Sequence, residues 1–425
     1  MSIDSRISRR KFVKAALGTT ALFAIVPRRV LGGPGYVSPS DEITKAVIGV
    51  GGMGHWHLTE PGARLVAVCD VDDEHLQSAL NVGGKDVVAY HDFRELLERR
   101  DIDVVHIATP PHWHALISIA AAQAGKDIWC EKPMTRTIAE GQKVVESVRQ
   151  YGRIFRINTW FRFEDVFYGF GTTVRPIKKL VDSGLLGWPL TVTVGAATGF
   201  EWKEYWTGKT DAKAEWIPAC LDYSMWLGPA PYKPYTAHRV HGTFRGYWDY
   251  DGGGLGDMAQ HYLDPVQYVL GKDDTSPVLV EVDADQQHPD AVGVWRTITL
   301  TYADGCQIVL PGTASPVEPN VPFIEGPKGK LFKGFRSDIP NLKEKLRDFP
   351  EPAAQVTDFY AAVKSRTKFA LNEENGHRSA TLVNIAKIAW QLGRSLKFDP
   401  VSQRFVGDDA ANRLANPPMR APWHL

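Results

Sequence analysis

The sequence predicts an α/β protein of two domains: a doubly wound parallel sheet in the N-terminal half, then an α+β domain with an open, largely antiparallel sheet. Between residues 44 and 160, short apolar runs alternate with segments of helical length, which is typical of βαβ units. Beyond residue 160, polar and apolar residues alternate in several segments, and Ala303–Gly305 predicts a tight hairpin turn. The 425 residues are sufficient for two hydrophobic cores.

Composition and charge exclude several classes of protein. Hydrophobic residues make up 44% of the chain and charged residues 23%, as in soluble globular proteins. The 49 basic residues equal the 49 acidic residues, so no positive excess attracts nucleic acid or anionic lipid, and we expect no nucleic-acid partner. The four cysteines are far apart and form no C-x-x-C motif, which predicts neither a disulfide framework nor a zinc motif.

The N-terminal segment carries an export motif. Ser8–Lys14 reads S-R-R-K-F-V-K, a twin-arginine motif, and an apolar run from Ala15 to Val26 follows it. This run is too short to span a bilayer as a stable helix. We therefore expect residues 1–31 to be a signal for the twin-arginine export machinery, which carries folded proteins. The protein would then be periplasmic, and membrane-anchored if the signal is retained.

After a linker at residues 32–43, the first strand, Ala46–Val50, leads into a glycine-rich turn and a short helix that Pro61 and Gly62 end. The turn contains G-x-G-x-x-G, the dinucleotide fingerprint, and the residues expected to bind cofactor there are Gly49, Gly51, Gly52, Met53 and Gly54. Backbone N–H groups at the start of a helix suit a diphosphate. Asp70 follows the second strand, Leu65–Cys69, where an acidic side chain can bind a ribose 2′-hydroxyl.

The remaining elements of this first domain, residues 44–160, alternate regularly. The predicted strands are Val87–Tyr90, Val104–Ala108, Asp127–Cys130 and Arg153–Asn158, and the predicted helices include Phe93–Glu98, Ala115–Ala124 and Ile138–Tyr151. In doubly wound sheets, ligands bind beyond the carboxyl ends of the strands. The segments that follow two of these strands should therefore meet the glycine loop, and we expect Thr109, Pro110, His114, Glu131 and Lys132 to contact the cofactor.

The second domain, residues 161–400, mixes strands and helices in irregular order. The predicted strands are Thr191–Ala196, Val278–Asp283, Val292–Tyr302 and Cys306–Leu310; the predicted helices lie at about 173–184, from near Gly256, at Gln355–Lys364 and at Glu374–Leu396. We expect residues 401–425, which contain several prolines, to form an extended tail. Aromatic residues between 202 and 250 are numerous enough to supply both a core and a stacking surface for sugar rings.

Two groups of residues can carry proton transfer. Lys132 ends a buried strand, where its charge can polarise a substrate hydroxyl; the alternative is a surface ion pair with Glu131. Asp257 and His261 follow a glycine run at i,i+4 spacing, so the carboxylate can orient the histidine as a general base. The alternative for this pair is helix capping and packing.

A short histidine pair, His112-x-His114, has no cysteine or carboxylate partner in its sequence neighbourhood. Structural and catalytic zinc sites require three or four protein ligands. We therefore expect the pair to pack beside a cofactor, and we expect no metal site in the chain.

In these motifs the chain resembles the Gfo/Idh/MocA oxidoreductases, the family of glucose–fructose oxidoreductase and inositol dehydrogenase. The resemblance extends from Thr44 over nearly the whole chain and includes the glycine motif, Cys69–Asp72, Thr109–His114, Glu131–Pro133 and Gly252–His261. It implies a Rossmann domain that binds NAD and a catalytic set of Lys132, Asp257 and His261. It also implies a C-terminal sheet that bears the substrate and contributes to the contacts of a homo-oligomer, a dimer or a tetramer. The leader is similar to that of an exported bacterial subgroup.

The resemblance implies an enzyme that oxidises a secondary alcohol of a sugar or polyol. His261 would take the hydroxyl proton, Asp257 would orient the imidazole, and Lys132 would polarise the hydroxyl while hydride passes to the nicotinamide. We expect Asp70 to favour NAD over NADP, because its carboxylate repels a 2′-phosphate. We expect NAD to be tightly bound, since free cofactor is scarce outside the cytoplasm. The residues expected to contact substrate are Trp160, Arg162, Tyr223 and Tyr250.

Two other functions remain open. The chain can instead be a redox-neutral glycosidase or lyase that retains NAD, in which transient oxidation of the sugar permits elimination and hydride then returns. That route needs an additional base, for which Tyr223 and Tyr250 are candidates. A non-catalytic NAD-binding protein is the third hypothesis, and the intact Lys132, Asp257 and His261 count against it.

Overall fold

The computed structural model describes residues 41–159, 161–162, 171–195, 202–203, 205–312 and 320–425. The predicted twin-arginine signal, most of the predicted linker and Trp160 lie outside the described residues. Among the helices that are described, none is both long enough and apolar enough to cross a membrane. Both sheets belong to the unit formed by residues Ile43–Leu425.

The N-terminal sheet is parallel and doubly wound, as predicted. Its strands are β1 (Thr44–Ile48), β2 (Arg64–Cys69), β3 (Val88–Tyr90), β4 (Val104–Ile107), β5 (Asp127–Cys130) and β6 (Phe155–Ile157). The helices between them are α1 (Gly52–Thr59), α2 (Asp73–Gly83), α3 (Phe93–Leu97), α4 (Pro111–Gln123) and α5 (Ile138–Gln150). The strand order is β3-β2-β1-β4-β5-β6. Because the order reverses between β1 and β4, the loops after these strands diverge and leave a crevice.

Local sequence determines where the helices around this crevice begin. The carboxylate of Asp72 accepts hydrogen bonds from the backbone N–H groups of Glu74 and His75 at the start of α2. Thr137 and Glu140 form a capping box at the start of α5. The strands β1, β4 and β5 are buried along their whole length, because helices cover both faces of the sheet.

The second half of the chain forms a mixed, largely antiparallel sheet, as predicted. Its described strands are β7 (Thr191–Thr193), β8 (Leu279–Asp283), β9 (Thr297–Thr301), β10 (Gln307–Pro311), β11 (Ile324–Gly326), β12 (Gly329–Phe332), β13 (Arg336–Ser337), β14 (Leu396–Asp399) and β15 (Arg404–Phe405). Their order is β13-β12-β11-β7-β10-β9-β8-β14-β15. Only the β7–β10 pair is parallel among these described strands.

Seven helices are described in this half, and two of them cover one face of the sheet. They are α6 (Val174–Asp182), α7 (Tyr223–Leu227), α8 (Gly253–Val269), α9 (Leu342–Arg347), α10 (Phe359–Ser365), α11 (Glu373–Leu392) and α12 (Asp409–Ala415). Burial alternates along β9 and β10, and their buried residues share one core with α8 and α11. The opposite face is only partly buried, which gives the open sheet that the sequence predicts.

Two helices begin earlier than predicted. α4 begins at Pro111 rather than Ala115, because proline is favoured at the first helical position, so His112 and His114 lie in its first turn. α8 begins at Gly253 rather than near Gly256. Its glycines allow close backbone approach: a Cβ on Gly254 would lie 1.6 Å from the carbonyl oxygen of Trp202.

The C-terminal predictions need two corrections. α11 ends at Leu392, because Gly393 adopts a left-handed conformation (φ 64°), and residues 396–399 instead form β14. The tail is not extended throughout: it contains β15 and α12. The side chain of Asn412 on α12 exchanges hydrogen bonds with the backbone of Phe405, which holds the two elements together.

The region before β9 also differs from the prediction. The sequence predicts one strand from Val292 to Tyr302, but the observed strand β9 begins only at Thr297. The backbone N–H of Val292 donates instead to the carbonyl of Gly246 at 2.9 Å. This contact fastens the segment before β9 to a 3₁₀ turn at His241–Gly246, which forms part of the site.

Candidate active site

A cavity of about 400 Å³ lies at the carboxyl ends of the parallel strands. The N-terminal half contributes the glycine loop and the segments after β2, β4 and β5 to its lining. The second half contributes Lys203, Trp206, Trp226, Arg245, Asp257 and several of their neighbours. The cavity therefore collects the predicted cofactor loops and part of the predicted catalytic set in one place.

The glycine loop leaves no room for side chains at two of its positions. Gly49 has φ +82°, and a Cβ there would lie 2.7 Å from the backbone nitrogen of Thr109. A Cβ on Gly54 would lie 1.8 Å from the carbonyl oxygen of Gly49. In contrast, Gly52 faces open space. The loop thus leaves its backbone accessible from the cavity at the start of α1. This helix has eight residues and is short, as the sequence predicts.

Asp70 is held beside the glycine loop. Its Oδ2 accepts a hydrogen bond from the backbone N–H of Val50 at 2.8 Å, and its Oδ1 accepts one from the N–H of Asp72 at 3.1 Å. Nδ1 of His75 lies 3.4 Å from Oδ2, and this contact raises the pKa of His75. Oδ1 keeps a further lone pair, so the fixed carboxylate can still accept a hydrogen bond from a ligand hydroxyl.

The loop after β4 contributes an unsatisfied hydroxyl. Oγ1 of Thr109 is buried and has no hydrogen-bond partner within the described part of the chain. Pro110 lines the cavity beside it. A buried polar atom without a partner is uncommon, and a ligand oxygen in the cavity would satisfy it.

The two histidines of α4 have packing roles. His114 connects two loops, because its Nδ1 lies 2.8 Å from the carbonyl oxygen of Pro133 and its Nε2 lies 2.7 Å from that of Thr109. Nε2 of His112 lies 2.9 Å from the carbonyl oxygen of Trp226, and burial lowers the pKa of His112 to about 3. His114 was expected to contact cofactor; in the structure its ring nitrogens face the carbonyl oxygens of two loops that line the cavity.

The carboxylate of Glu131 is fixed by a buried chain of side chains that the sequence did not reveal. Its Oε1 lies 2.9 Å from Nε2 of His57, whose Nδ1 lies 2.9 Å from Nδ1 of His106. Nε2 of His106 lies 3.1 Å from the hydroxyl of Tyr360 on α10. Asn158 also donates to Oε1 at 2.5 Å.

Burial and hydrogen bonding act on both ends of this chain of side chains. Burial opposes ionisation of Glu131, but the hydrogen bond and charge of His57 outweigh it and lower the pKa of Glu131. Burial lowers the pKa of His106 well below its ordinary value. The contacts thus run without a break from the Glu131 carboxylate through the two imidazoles to the Tyr360 hydroxyl.

Lys132 lies beside α8. Its Nζ donates to the carbonyl oxygen and to Oδ1 of Asp257, both at 2.9 Å. Nε of Arg245 donates to the same Oδ1 at 2.6 Å, and Nζ of Lys203 lies 3.8 Å from Oδ2. Burial raises the pKa of Asp257, but the charges of Lys132 and Arg245 outweigh it and hold that pKa far below its usual value. The carboxylate is therefore ionised and surrounded by three cations.

His261 lies one helical turn after Asp257 and is buried, with its ring 5.5 Å from that of Phe161. Burial, then the charge of Lys132, lowers the pKa of His261 to about 3. The imidazole is consequently neutral near pH 7, and burial disfavours its protonated form. The contacts observed for the Asp257 carboxylate are with Lys132, Arg245 and Lys203, whereas the sequence pattern had pointed to His261. Arg245 and Lys203 carried no recognisable sequence motif.

A second carboxylate lies close to this group. Asp251 is buried, and neither of its carboxylate oxygens has a hydrogen-bond partner among the described residues. Burial and the neighbouring charge of Asp257 raise the pKa of Asp251, while Lys387 and Arg245 oppose this shift. The two carboxylates therefore differ in protonation: Asp257 is ionised and Asp251 retains its proton more strongly.

Three of the residues expected to contact substrate are committed to the protein interior. Tyr223 is buried and its hydroxyl donates to the carbonyl of Lys233 at 2.9 Å. Tyr250 is fully buried, with its ring 5.0 Å from that of Trp226. Arg162 is buried in ion pairs with Asp264 and Asp273, so its charge is already neutralised. The aromatic residues that do line the cavity in this region are Trp206, Trp226 and Phe244.

Comparison with known families covers both halves of the chain. The model of the oxidoreductase family's NAD-binding Rossmann fold matches residues 43–159. The model of the oxidoreductase family's C-terminal alpha/beta domain matches residues 170–425.

Curated relatives match a smaller part. The inositol 2-dehydrogenase of Salmonella typhimurium is 32% identical over 152 residues, which are 34% of this chain and 43% of that protein. Glycosyl hydrolase family 109 protein 2 of Shewanella sp. (strain MR-4) is 34% identical over 209 residues, 43% of this chain and 44% of that protein. The matched region thus spans less than half the length of these relatives.

Solved structures are similar over most of the chain. The WlbA dehydrogenase from Bordetella pertussis, solved with NADH and UDP-GlcNAcA, has a TM-score of 0.58 and 19% identity, covering 84% of this chain and 98% of that chain. The myo-inositol 2-dehydrogenase from Lactobacillus plantarum has a TM-score of 0.54 and 18% identity, covering 84% of this chain and 100% of that chain. At this level of identity the similarity shows a shared fold.

Proposed function

The chain belongs to the Gfo/Idh/MocA oxidoreductase family, and on that premise we propose that it transfers hydride between a secondary alcohol of a sugar or polyol and NAD. One observation carries the proposal. Nζ of Lys132 lies 2.9 Å from Oδ1 of Asp257 at the wall of the cavity that the glycine loop also lines. A fixed cation beside a dinucleotide site is what a reacting hydroxyl requires.

The residues present fit a dinucleotide. Backbone N–H groups of Gly51, Gly52 and Met53 would hold the diphosphate, and Gly52 has open space above it for such a group. Asp70 would bind a ribose diol, and the unsatisfied hydroxyl of Thr109 would gain a partner. When bound, the nicotinamide supplies a two-electron hydride acceptor.

Proton transfer is the task of the protein residues. Lys132 would donate a hydrogen bond to the substrate hydroxyl, and its positive charge would ease loss of the hydroxyl proton. Asp257 keeps the ammonium group in place, and its carboxylate is already engaged by Lys132, Arg245 and Lys203. The neutral imidazole of His261 is the group we assign as proton acceptor.

We further propose that NAD is preferred over NADP. Asp70 and Asp72 place two carboxylates at the edge of the cavity, and these would repel a 2′-phosphate. His75 and His241 lie beside these carboxylates.

The proposal is tested by identifying the cofactor and then the substrate. The purified protein is denatured, and mass spectrometry of the released small molecules shows whether NAD or NADP was bound. A panel of sugars and polyols is then added to the native protein, and NADH absorbance is recorded. Release of no nicotinamide cofactor, together with no NADH formation after NAD is supplied, would refute the proposed function.

A redox-neutral glycosidase is the second candidate, and the 34% identity to the glycosyl hydrolase family 109 protein favours keeping it. Such an enzyme would release the leaving group from an aryl glycoside through many turnovers without an added acceptor. A dehydrogenase would stop once its bound cofactor has become NADH. Phenol release over time, without acceptor, therefore separates the two candidates.

We also propose that the protein is exported by the twin-arginine route with NAD already bound. The motif at Ser8–Lys14 supports this, since that machinery carries folded and loaded proteins. Cell fractionation tests the location, and gel filtration followed by cofactor analysis tests retention. Loss of NAD during one passage through the column would contradict tight binding. Light scattering of the same peak would test the expected dimer or tetramer.

A further inference from the structure

Two side chains at the start of α2, Asp72 and His75, meet the sequence-distant His241 at the rim of the cavity. Each offers one ligand atom, and these atoms all lie within 4.8 Å of one another. The two imidazole rings are 4.9 Å apart, and Nε2 of His241 lies 3.5 Å from Oδ2 of Asp72. All three residues line the cavity, beside the glycine loop.

Carboxylates are concentrated around this cluster. Three of them lie within four positions of the chain, and each lies beside a histidine: Asp70 beside His75, Asp72 beside His241 and Asp73 beside His91. A divalent cation bound among these groups would add two positive charges next to the three carboxylates.

The ligand atoms define the class of cation. Two imidazole nitrogens and one carboxylate oxygen suit a first-row metal of the Zn²⁺ type, whereas Mg²⁺ and Ca²⁺ prefer oxygen ligands alone. Three protein ligands leave a fourth tetrahedral position for water or for a cofactor oxygen. Asp72 can ligate through Oδ2 without giving up its capping role, because the backbone N–H groups at the start of α2 bind Oδ1.

We propose that Asp72, His75 and His241 bind one Zn²⁺-class ion at the rim of the cavity. The ion would join the start of α2 to the turn at His241–Gly246. That turn also carries Arg245, which holds the Asp257 carboxylate. Metal binding would thereby fasten the outer wall of the cavity to the N-terminal sheet and slow the departure of a bound dinucleotide. This last effect rests on the proposed function, whereas the metal site itself does not.

The test is direct metal binding to the full-length, untagged protein. After dialysis against a chelator, the protein is titrated with Zn²⁺ by calorimetry, and bound metal is counted by elemental analysis. We expect one Zn²⁺ per chain, and a visible spectrum of four-coordinate type when Co²⁺ replaces it. His75→Gln and His241→Gln should each weaken Zn²⁺ binding by roughly tenfold or more.

His91→Gln is the matched control, because His91 pairs with the neighbouring Asp73 but does not belong to the cluster. It should bind Zn²⁺ as the parent does, and circular dichroism of each variant shows that folding is retained. Absence of stoichiometric binding, or equal binding by His241→Gln and the parent, would overturn the proposal. Because this readout needs neither NAD nor substrate, its failure is distinguishable from failure of the proposed function.

A second measurement addresses the consequence of the site. Release of NAD from loaded protein is followed with and without Zn²⁺. The rate should fall when Zn²⁺ is present in the parent and in His91→Gln, and should not change in His241→Gln. An equal effect of Zn²⁺ on all three proteins would show that the ion acts elsewhere.

Discussion

Nζ of Lys132 donates a hydrogen bond to Oδ1 of Asp257 at 2.9 Å, across 125 positions of sequence. Lys132 follows a strand of the parallel sheet, and Asp257 lies in the helix that covers the second sheet. Both side chains are largely buried, with 11% and 5% of their surfaces exposed. The pair therefore joins the two halves of the chain at the cavity where the chemistry is proposed, and charge-assisted bonds of this kind are among the stronger ones.

Replacing the cation of this pair tests its role in the reaction. Lys132→Met should slow reduction of bound NAD by substrate by roughly 10²-fold or more, because polarisation of the hydroxyl is lost. NAD content should remain near that of the parent. His261→Ala should have a similar effect by removing the proton acceptor. Lys178→Met, on α6, serves as a control that keeps normal rates. Single-turnover absorbance measures the rate, and a near-normal rate in both site variants would contradict the assignment.

The glycine loop allows a comparison between two neighbouring substitutions. Gly54→Ala places a methyl group 1.8 Å from the carbonyl oxygen of Gly49, so it should lower stability and cofactor content together. Gly52→Ala meets nothing within 4 Å and should fold as stably as the parent. It should nevertheless bind NAD more weakly, because the methyl group takes the space assigned to the diphosphate. Unchanged NAD affinity in Gly52→Ala would place the diphosphate elsewhere.

Asp70 tests the preference for NAD. Asp70→Ala should weaken NAD binding by roughly tenfold or more, because a hydrogen bond to a charged group is lost, and should reduce discrimination against NADP. Asp73→Ala removes a nearby exposed carboxylate and is the control. Titration of apoprotein with each cofactor, followed by fluorescence, gives both affinities. Parent-like NAD affinity in Asp70→Ala would show that this carboxylate does not bind the ribose.

The buried chain that ends at Glu131 predicts a cost in stability. Tyr360→Phe removes the hydroxyl that lies 3.1 Å from Nε2 of His106 and leaves this buried ring nitrogen without its partner. The free energy of unfolding should fall by about 1–3 kcal/mol. Tyr151→Phe, at an exposed site, is the control and should change stability little. Urea denaturation compares the stability of the three proteins. Equal midpoints would show that the contact between Tyr360 and His106 contributes no stability.

His377 predicts how stability depends on pH. It is buried on α11 with its Nε2 2.6 Å from Oε1 of Gln403, and burial lowers its pKa from 6.5 to about 4. The folded state therefore binds fewer protons than the unfolded state between these values, and stability is lost as the pH falls from 6.5 to 4.

His377→Gln should lack this component. The stability of the parent relative to the variant should fall by about 1.4 kcal/mol for each pH unit within that range. Above pH 7 the difference between the two proteins should not change with pH. Urea denaturation at several pH values measures it, and a difference that is constant from pH 7 to 4.5 would show that His377 does not titrate in this way.

Sequence patterns identified the parallel sheet, the glycine loop and its shortened helix because these depend on residues close together in the chain. The alternation of polar and apolar residues and the Ala303–Gly305 turn likewise identified the β9–β10 hairpin. Short strands such as β13 and β15 were missed, because two residues show no periodicity and their pairing partners set their conformation. The helix α12 was missed for a related reason. The prolines that predicted an extended tail lie after this helix, and α12 is held by contacts with β15 that only the fold provides.

The sequence by itself determined the fold class and the residue types at the cavity: Gly49, Asp70 and Lys132 each stand at the end of a strand, and the ends of parallel strands must meet. Only the tertiary structure decided which side chains are available there. It placed Arg245 and Lys203 on the carboxylate of Asp257, and it buried Tyr223, Tyr250 and Arg162 in the interior. It also brought His241 to Asp72 and His75. Such contacts depend on how distant segments pack together, and the spacing of residues within one segment does not predict them.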